Sequence, residues 1–244
     1  ELDGIRWPRM LANPSCRPLY DKMVSLAQFV APVAQYRGPH TIAQTSTVLG
    51  LWLEGACANW GIAPDSAWYA DAGFLQPDLF GASSPPADMP PALYRAMILN
   101  GVMLGATVYS FNASDDLWFG THAACWTETI QPLLGETINF SLIPRQDFVR
   151  KELPVAYQLA PSRDAREFHQ NLRDIDGVLD EGLMIKGAYG MERPGQIPEL
   201  IPNTGRHFWI PILSPQATPQ ALGSFRAVVQ PGMIRQTSSI VRDW

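Results

Sequence analysis

The sequence predicts an α/β fold with parallel strands, and two observations carry that expectation. Short apolar runs alternate with longer segments of helical spacing, in the order helix, strand, helix, strand, helix. The first run, Val48 to Leu53, has no polar alternation, which suits a strand buried on both faces. Composition agrees: 46% of the 244 residues are hydrophobic and 17% are charged, enough apolar material for a real core.

In chain order, the spacing of Leu19, Met23, Leu26, Phe29, Val30 and Val33 predicts a helix over Leu19 to Tyr36, stopped by Gly38-Pro39. A strand is expected over Thr47 to Leu53. Pro64-Asp65-Ser66 offers the start of a helix leading into Ala67 to Ala72, and a Pro/Ser/Gly-rich loop runs from Pro77 to Pro91. Ala92 to Leu104 reads as a helix and Ala106 to Phe111 as a strand parallel to the first. Thr121 to Phe140 is helical with a break near Gly135, and Pro144 to Glu152 is a short amphipathic helix. Two strands cannot close a barrel, but they suffice as the last two of one. Residues 1–153 are therefore expected to be the C-terminal part of a (β/α)8 catalytic barrel, and the chain, which starts at Glu1 rather than Met, part of a longer polypeptide. After Leu153 the pattern changes. Residues 154–244 read as a β-containing segment packing on the barrel, with strands at Val155 to Leu159 and Phe208 to Leu213. A helix near Ala165 to Arg173 precedes a polar loop, and a last helix and strand fall within Ala221 to Val229.

Several function classes are disfavoured. A net charge of −5 without a Lys/Arg run argues against a nucleic-acid groove or an anionic membrane surface. No stretch is long and apolar enough to span a bilayer. Cys16, Cys57 and Cys125 form neither a disulfide framework nor a zinc spacing, and Cys57 and Cys125 read as buried thiols. His40 and His122 are isolated, so no metal is expected, and no Gly-rich phosphate loop or GxSxG elbow is present, so no cofactor is expected.

The candidate chemistry gathers in STVLGLWLEGACANWG, Ser46 to Gly61. Glu54 follows the apolar run at once, and a carboxylate at the C-terminal end of a parallel strand lies where α/β enzymes place their chemistry. Its structural alternative is a cap or an arginine partner. Asp115 and Asp116 follow the next strand and supply further carboxylates, or a solvated turn or helix cap. Asn59, Trp60, Trp68, Tyr69 and Trp118 supply hydroxyl partners and flat apolar faces for a sugar. Trp52, inside the run, reads as core. Trp60 is expected at the rim, with burial as its alternative. Arg206 and His207, in a turn before HFWIPIL, could reach a ligand.

Taken together, GLWLEGACANWG, DSAWYADAGF, GATVYSFNASDDLWFG, LIPRQDFVRKELPVAYQL and IPNTGRHFWIPIL resemble glycoside hydrolase family 98. The resemblance implies a secreted bacterial endo-β-galactosidase acting on complex blood-group-type glycans with inversion. Its fold would be a (β/α)8 barrel followed by a β-rich domain. It places Glu54 in the acidic base pair, with Asp3 as partner, and leaves the general acid without a counterpart in this chain. Inversion needs the acid and base sides about 6.5–9.5 Å apart. Two readings compete with this one: a retaining hydrolase of another barrel family with Glu54 as nucleophile, and a non-catalytic glycan-binding or scaffold protein.

Overall fold

The computed structural model describes residues 6–36, 41–64, 91–111, 123–164, 166–167 and 210–231. Helix α1 (Arg6–Ala12) is followed by α2 (Arg17–Ser25), a 3-10 turn at Ala27–Phe29 and strand β1 (Val33–Tyr36). The single helix expected over Leu19 to Tyr36 is therefore a helix and a strand. Val30 is already extended, and Pro32 cannot continue a helix. Its carbonyl instead accepts the Gly61 N–H, starting the sheet.

Helix α3 (Thr41–Leu53) occupies the segment expected as the first strand. Burial was read correctly and period was not. From Gln44 to Leu53 every residue is buried, because β1 packs on one side of the helix and a second sheet on the other. A helix enclosed in this way is apolar all round and loses its 3.6-residue signature. Gly50 permits the closest approach: a Cβ there would lie 2.0 Å from the Ile212 carbonyl oxygen. The helix ends in a Schellman motif, with Gly55 at φ +85°, its N–H donating to Trp52 O and the Ala56 N–H to Leu51 O.

Strand β2 (Gly61–Pro64) comes next and ends at Pro64; Asp65 and Ser66, where a helix is expected to start, lie outside the described residues. Ala67 to Ala72 lies outside the described residues. Helix α4 (Pro91–Met103) matches expectation and ends in the same motif, with Gly105 at φ +85° and the Ala106 N–H on Gly101 O. Strand β3 (Val108–Tyr109) completes a parallel sheet of order β1-β2-β3, with Val33 opposite Gly61 and Gly61 opposite Val108. The Ala106 to Phe111 segment thus does pair in parallel, but with β2 and not with residues 47–53.

A continuous helical segment follows as α5 (Ala123–Cys125), a π-helical turn (Trp126–Ile130) and α6 (Gln131–Asn139). It passes through Gly135 unbroken, and its irregularity falls at the π turn instead. Helix α7 (Gln146–Glu152) leads to β4 (Val155–Gln158). Then come β5 (Ile212–Leu213), α8 (Pro219–Leu222) and β6 (Ala227–Val229). These strands form a second parallel sheet of order β5-β4-β6, whose β5 packs on α3. Most of the helix expected near Ala165 to Arg173 lies outside the described residues. Cys57 and Cys125 are buried thiols, as expected.

Candidate functional site

The two edges of the first sheet differ in what they carry. In a parallel α/β sheet, ligands bind beyond the carboxyl ends of the strands. Tyr36, Pro64 and Tyr109 end the three strands on that side.

Glu54 is on the other side. It follows the last residue of α3, a helix that runs back from the carboxyl end of β1, so it lies near the amino end of β2. The strand-end placement behind its catalytic assignment is thus overturned. Its carboxylate is held from two directions: the Tyr20 hydroxyl donates to Oε1 at 2.9 Å, and the Ser214 backbone N–H donates to Oε2 at 2.8 Å. Burial pushes its pKa up to about 7, against the lowering effect of the Ser214 and Tyr20 hydrogen bonds. The same burial, with the Glu54 charge second, raises Tyr20 and pushes the Cys57 thiol up to about 12.

Trp60 is also corrected. It is fully buried, its ring centroid 6.5 Å from that of Trp52, rather than standing on a rim. The residue directly precedes β2, and its carbonyl accepts the Thr107 N–H, so its indole is enclosed by the chain entering the sheet. Trp52 is core as expected, with its indole N–H donating to Ala58 O at 3.2 Å. Asn59 is exposed and accepts the Thr107 hydroxyl at 3.0 Å, again at the amino edge. Side chains of α7 satisfy the last carbonyls of α3: Gln146 donates to Trp52 O and Arg150 to Leu53 O.

A cleft of about 680 Å³ opens at this amino edge, bounded by Ala27, Trp52, Cys57, Gly105, Thr107 and Arg145. Among the described residues, no carboxylate lines it.

At the carboxyl edge, Gln44 donates its amide to Gln35 O at 3.5 Å, and its own Oε1 is buried without a partner. The hydroxyls of Thr45 and Ser46 on the same turn are likewise buried and unpartnered. Phe111, just past β3, meets Trp126 edge to face, with centroids 5.6 Å apart. None of these was singled out from sequence. Gln44 sits in a stretch read as the approach to a strand, and Trp126 looks like any apolar helical position. Asp3, Trp68, Tyr69, Asp115, Asp116 and Trp118 lie outside the described residues, as do His40, His122, Arg206 and His207. By connectivity, Trp68 and Tyr69 follow β2, and Asp115, Asp116 and Trp118 follow β3.

The class is thus a parallel α/β protein whose first sheet is built from successive strand–helix units. Residues 32–124, which span those units, match the model of glycosyl hydrolase family 98. Over that stretch the chain is similar to the family that its motifs resemble. Its fold is similar to the catalytic module of a family 98 glycoside hydrolase from Streptococcus pneumoniae TIGR4. In complex with the H-disaccharide blood group antigen, that module matches at TM-score 0.70 and 15% identity, over 99% of this chain and 42% of the other. In complex with the LewisY pentasaccharide blood group antigen the values are 0.69 and 17%, over 99% and 41%. This chain thus spans about two fifths of the length of those modules. No curated protein matches the sequence.

Proposed function

We propose that this protein is part of a glycosidase that hydrolyses an internal β-galactosidic bond in a blood-group-type glycan with inversion. The observation that carries the reading is the family match over residues 32–124, which covers all three strands of the first sheet and the helices between them. In this reading the sheet is an arc of a (β/α)8 barrel, and the substrate lies across its carboxyl edge. Secretion follows, since such glycans are displayed outside cells.

The chemistry is carboxylate acid–base catalysis. One carboxylate deprotonates a water on one face of the galactose, and an acid on the opposite side protonates the leaving oxygen. Asp115 and Asp116, which follow β3, are our candidates for carboxylates on this edge, with Trp68, Tyr69 and Trp118 as sugar contacts. Glu54 with Asp3 is the sequence-derived alternative. Substituting Glu54→Gln separates the two: loss of turnover with an intact fold restores Glu54 to the machinery, and retained turnover removes it. The function is tested by incubating the protein with blood group A, B, H and Lewis Y oligosaccharides. Products are sized by mass spectrometry, and the first-formed anomer is read by NMR. Release of a trisaccharide or disaccharide as the α-anomer is expected. Initial release of the β-anomer would point to a retaining hydrolase. Glycan binding without cleavage by the protein, alone or joined to the rest of a family 98 module, would support the non-catalytic reading.

A further inference from the structure

The cleft at the amino edge of the first sheet has an apolar rim. Nine large hydrophobic side chains are exposed among the described residues, and five of them adjoin this cleft. Leu26 is next to Ala27 and Leu142 next to Ile143, while Phe29, Met103 and Phe148 stand two residues from Ala27, Gly105 and Gln146. Two residues of chain span at most about 7 Å, so all five lie at or beside the cleft wall. Phe29 is 85% exposed and Met103 71%. Inside, Trp52, Ile143 and Pro144 supply apolar wall, and Gly55 leaves it bare, with nothing within 4 Å of where a Cβ would stand.

Single exposed apolar side chains are ordinary, but a cluster around a concavity is not. The five present roughly 500 Å² of apolar surface, a size at which a patch marks contact with another protein. With the cleft wall added, the face approaches the ~800 Å² per partner that a stable interface buries. Its shape is also suited to a copy of itself. Phe29 projects from the rim, its N–H held by Leu26 O at 2.8 Å, and the Ala27 carbonyl accepts the Ala58 N–H at 2.8 Å. Ala27 and Ala58 both line the cleft, so the base of this knob is tied to the wall of the hole. A knob beside a hole is self-complementary, because a twofold axis between them seats each copy's knob in the other's hole. The rim charges permit the contact. Arg145 and Asp147 are exposed and 3.5 Å apart, and such a mixed pair can exchange partners between copies where a rim of one sign would repel.

We propose that this face binds a second copy of the chain in a twofold dimer, with Phe29 of each copy seated in the cleft of the other. The inference does not depend on the glycosidase reading. Seating removes the phenylalanine ring and the cleft wall from water together, which is the driving force for association. The dimer covers the amino edge of the first sheet and leaves the carboxyl edge of each copy open. Symmetry makes every contact occur twice, so a change at Phe29 is felt at two seats.

The test is the mass of the whole chain in solution, measured by light scattering and sedimentation over a wide range of concentration. A reversible species of twice the 27.0 kDa chain mass is expected. Phe29→Ala removes both knobs and is expected to raise the dimer Kd about a hundredfold, tenfold for each seat. Measured where both proteins are monomeric, its thermal midpoint should match that of the unsubstituted protein, since Phe29 is exposed. Ala58→Trp, at an exposed position on the cleft wall, fills the hole and should weaken the dimer to a similar degree. A mixture of the two variants brings one intact knob to one open cleft. The mixed dimer should therefore form about tenfold more tightly than either variant dimer. A mixture no tighter than its components overturns the reciprocal seating. Dimerisation that survives both substitutions overturns it too, as does a ladder of larger oligomers, which signals head-to-tail contact. A monomer at every concentration overturns the dimer and leaves the face to a different polypeptide.

Discussion

The amino and carboxyl edges of the first sheet are built from the same strand–helix units, yet they are finished in opposite ways. At the amino edge many polar groups have protein partners, although Trp60 Nε1 and Arg150 Nε are buried without one. The ends of α3 and α4 are closed by matching glycine caps, α7 side chains cover the last carbonyls of α3, and Glu54 is gripped by Tyr20 and Ser214. At the carboxyl edge three buried side-chain oxygens on one turn of α3 lack partners, and an aromatic pair stands half-buried. Unpaired buried polar groups cost stability, and on the carboxyl edge three of them fall on a single turn. Trp60 packs in the core, and Glu54, in the same motif, is tied to Tyr20 and Ser214.

The largest expected effect tests that packing directly. Trp60 is fully buried beside Trp52, so Trp60→Ala should leave a cavity and cost about 3–5 kcal/mol. Chemical denaturation would register it as a lower midpoint with an unchanged slope. An unaltered midpoint together with lost glycan binding would return Trp60 to the rim and erase the distinction between the two edges.

A second, smaller effect is a pH dependence. The folded-state pKa of Glu54, about 7, lies above its unfolded value of 4.5. Between those values the folded state holds a proton that the unfolded state has released, so stability falls as pH rises through this window. The contribution is fully present below about pH 4.5 and lost above about pH 7, a swing on the order of 3 kcal/mol for a carboxyl so enclosed. Unfolding free energies at pH 5 and pH 8 should differ in that direction, and Glu54→Gln should flatten the difference. An equally steep dependence in the Gln variant would show that another group titrates.

How much of this was legible beforehand depends on which signal each segment carried. α4 was readable because Gly101 and Gly105 interrupt its apolar run and announce a turn before the next strand. α3 ends in the same cap, and the Gly55 that closes it was in plain view. Its apolar run is uninterrupted, however, and enclosure by two sheets removed the polar face that marks a surface helix. The family resemblance survived the error because it rested on residue order and not on element type. The carboxyl-edge features were not legible, since a buried acceptor without a donor and an edge-to-face ring pair exist only once distant segments meet.

The smallest expected effect probes the amino edge most finely. Tyr20→Phe keeps the ring and removes only the hydroxyl that donates to Glu54 Oε1. A single hydrogen bond of this kind contributes about 1 kcal/mol. Its effect should not be constant with pH. The Tyr20 bond lowers the pKa of Glu54, so without it the folded-state value rises further and the charged form becomes harder to hold. The difference between the two proteins should therefore be small near pH 5, where Glu54 is protonated in both. It should widen as pH rises past 7, where each folded protein must bury the charge. Paired unfolding curves at the two pH values measure that widening, and repeating them in a Glu54→Gln background should abolish it. A difference of constant size across pH would mean that the Tyr20 hydroxyl acts through another partner, and that the amino edge is not organised around this carboxylate.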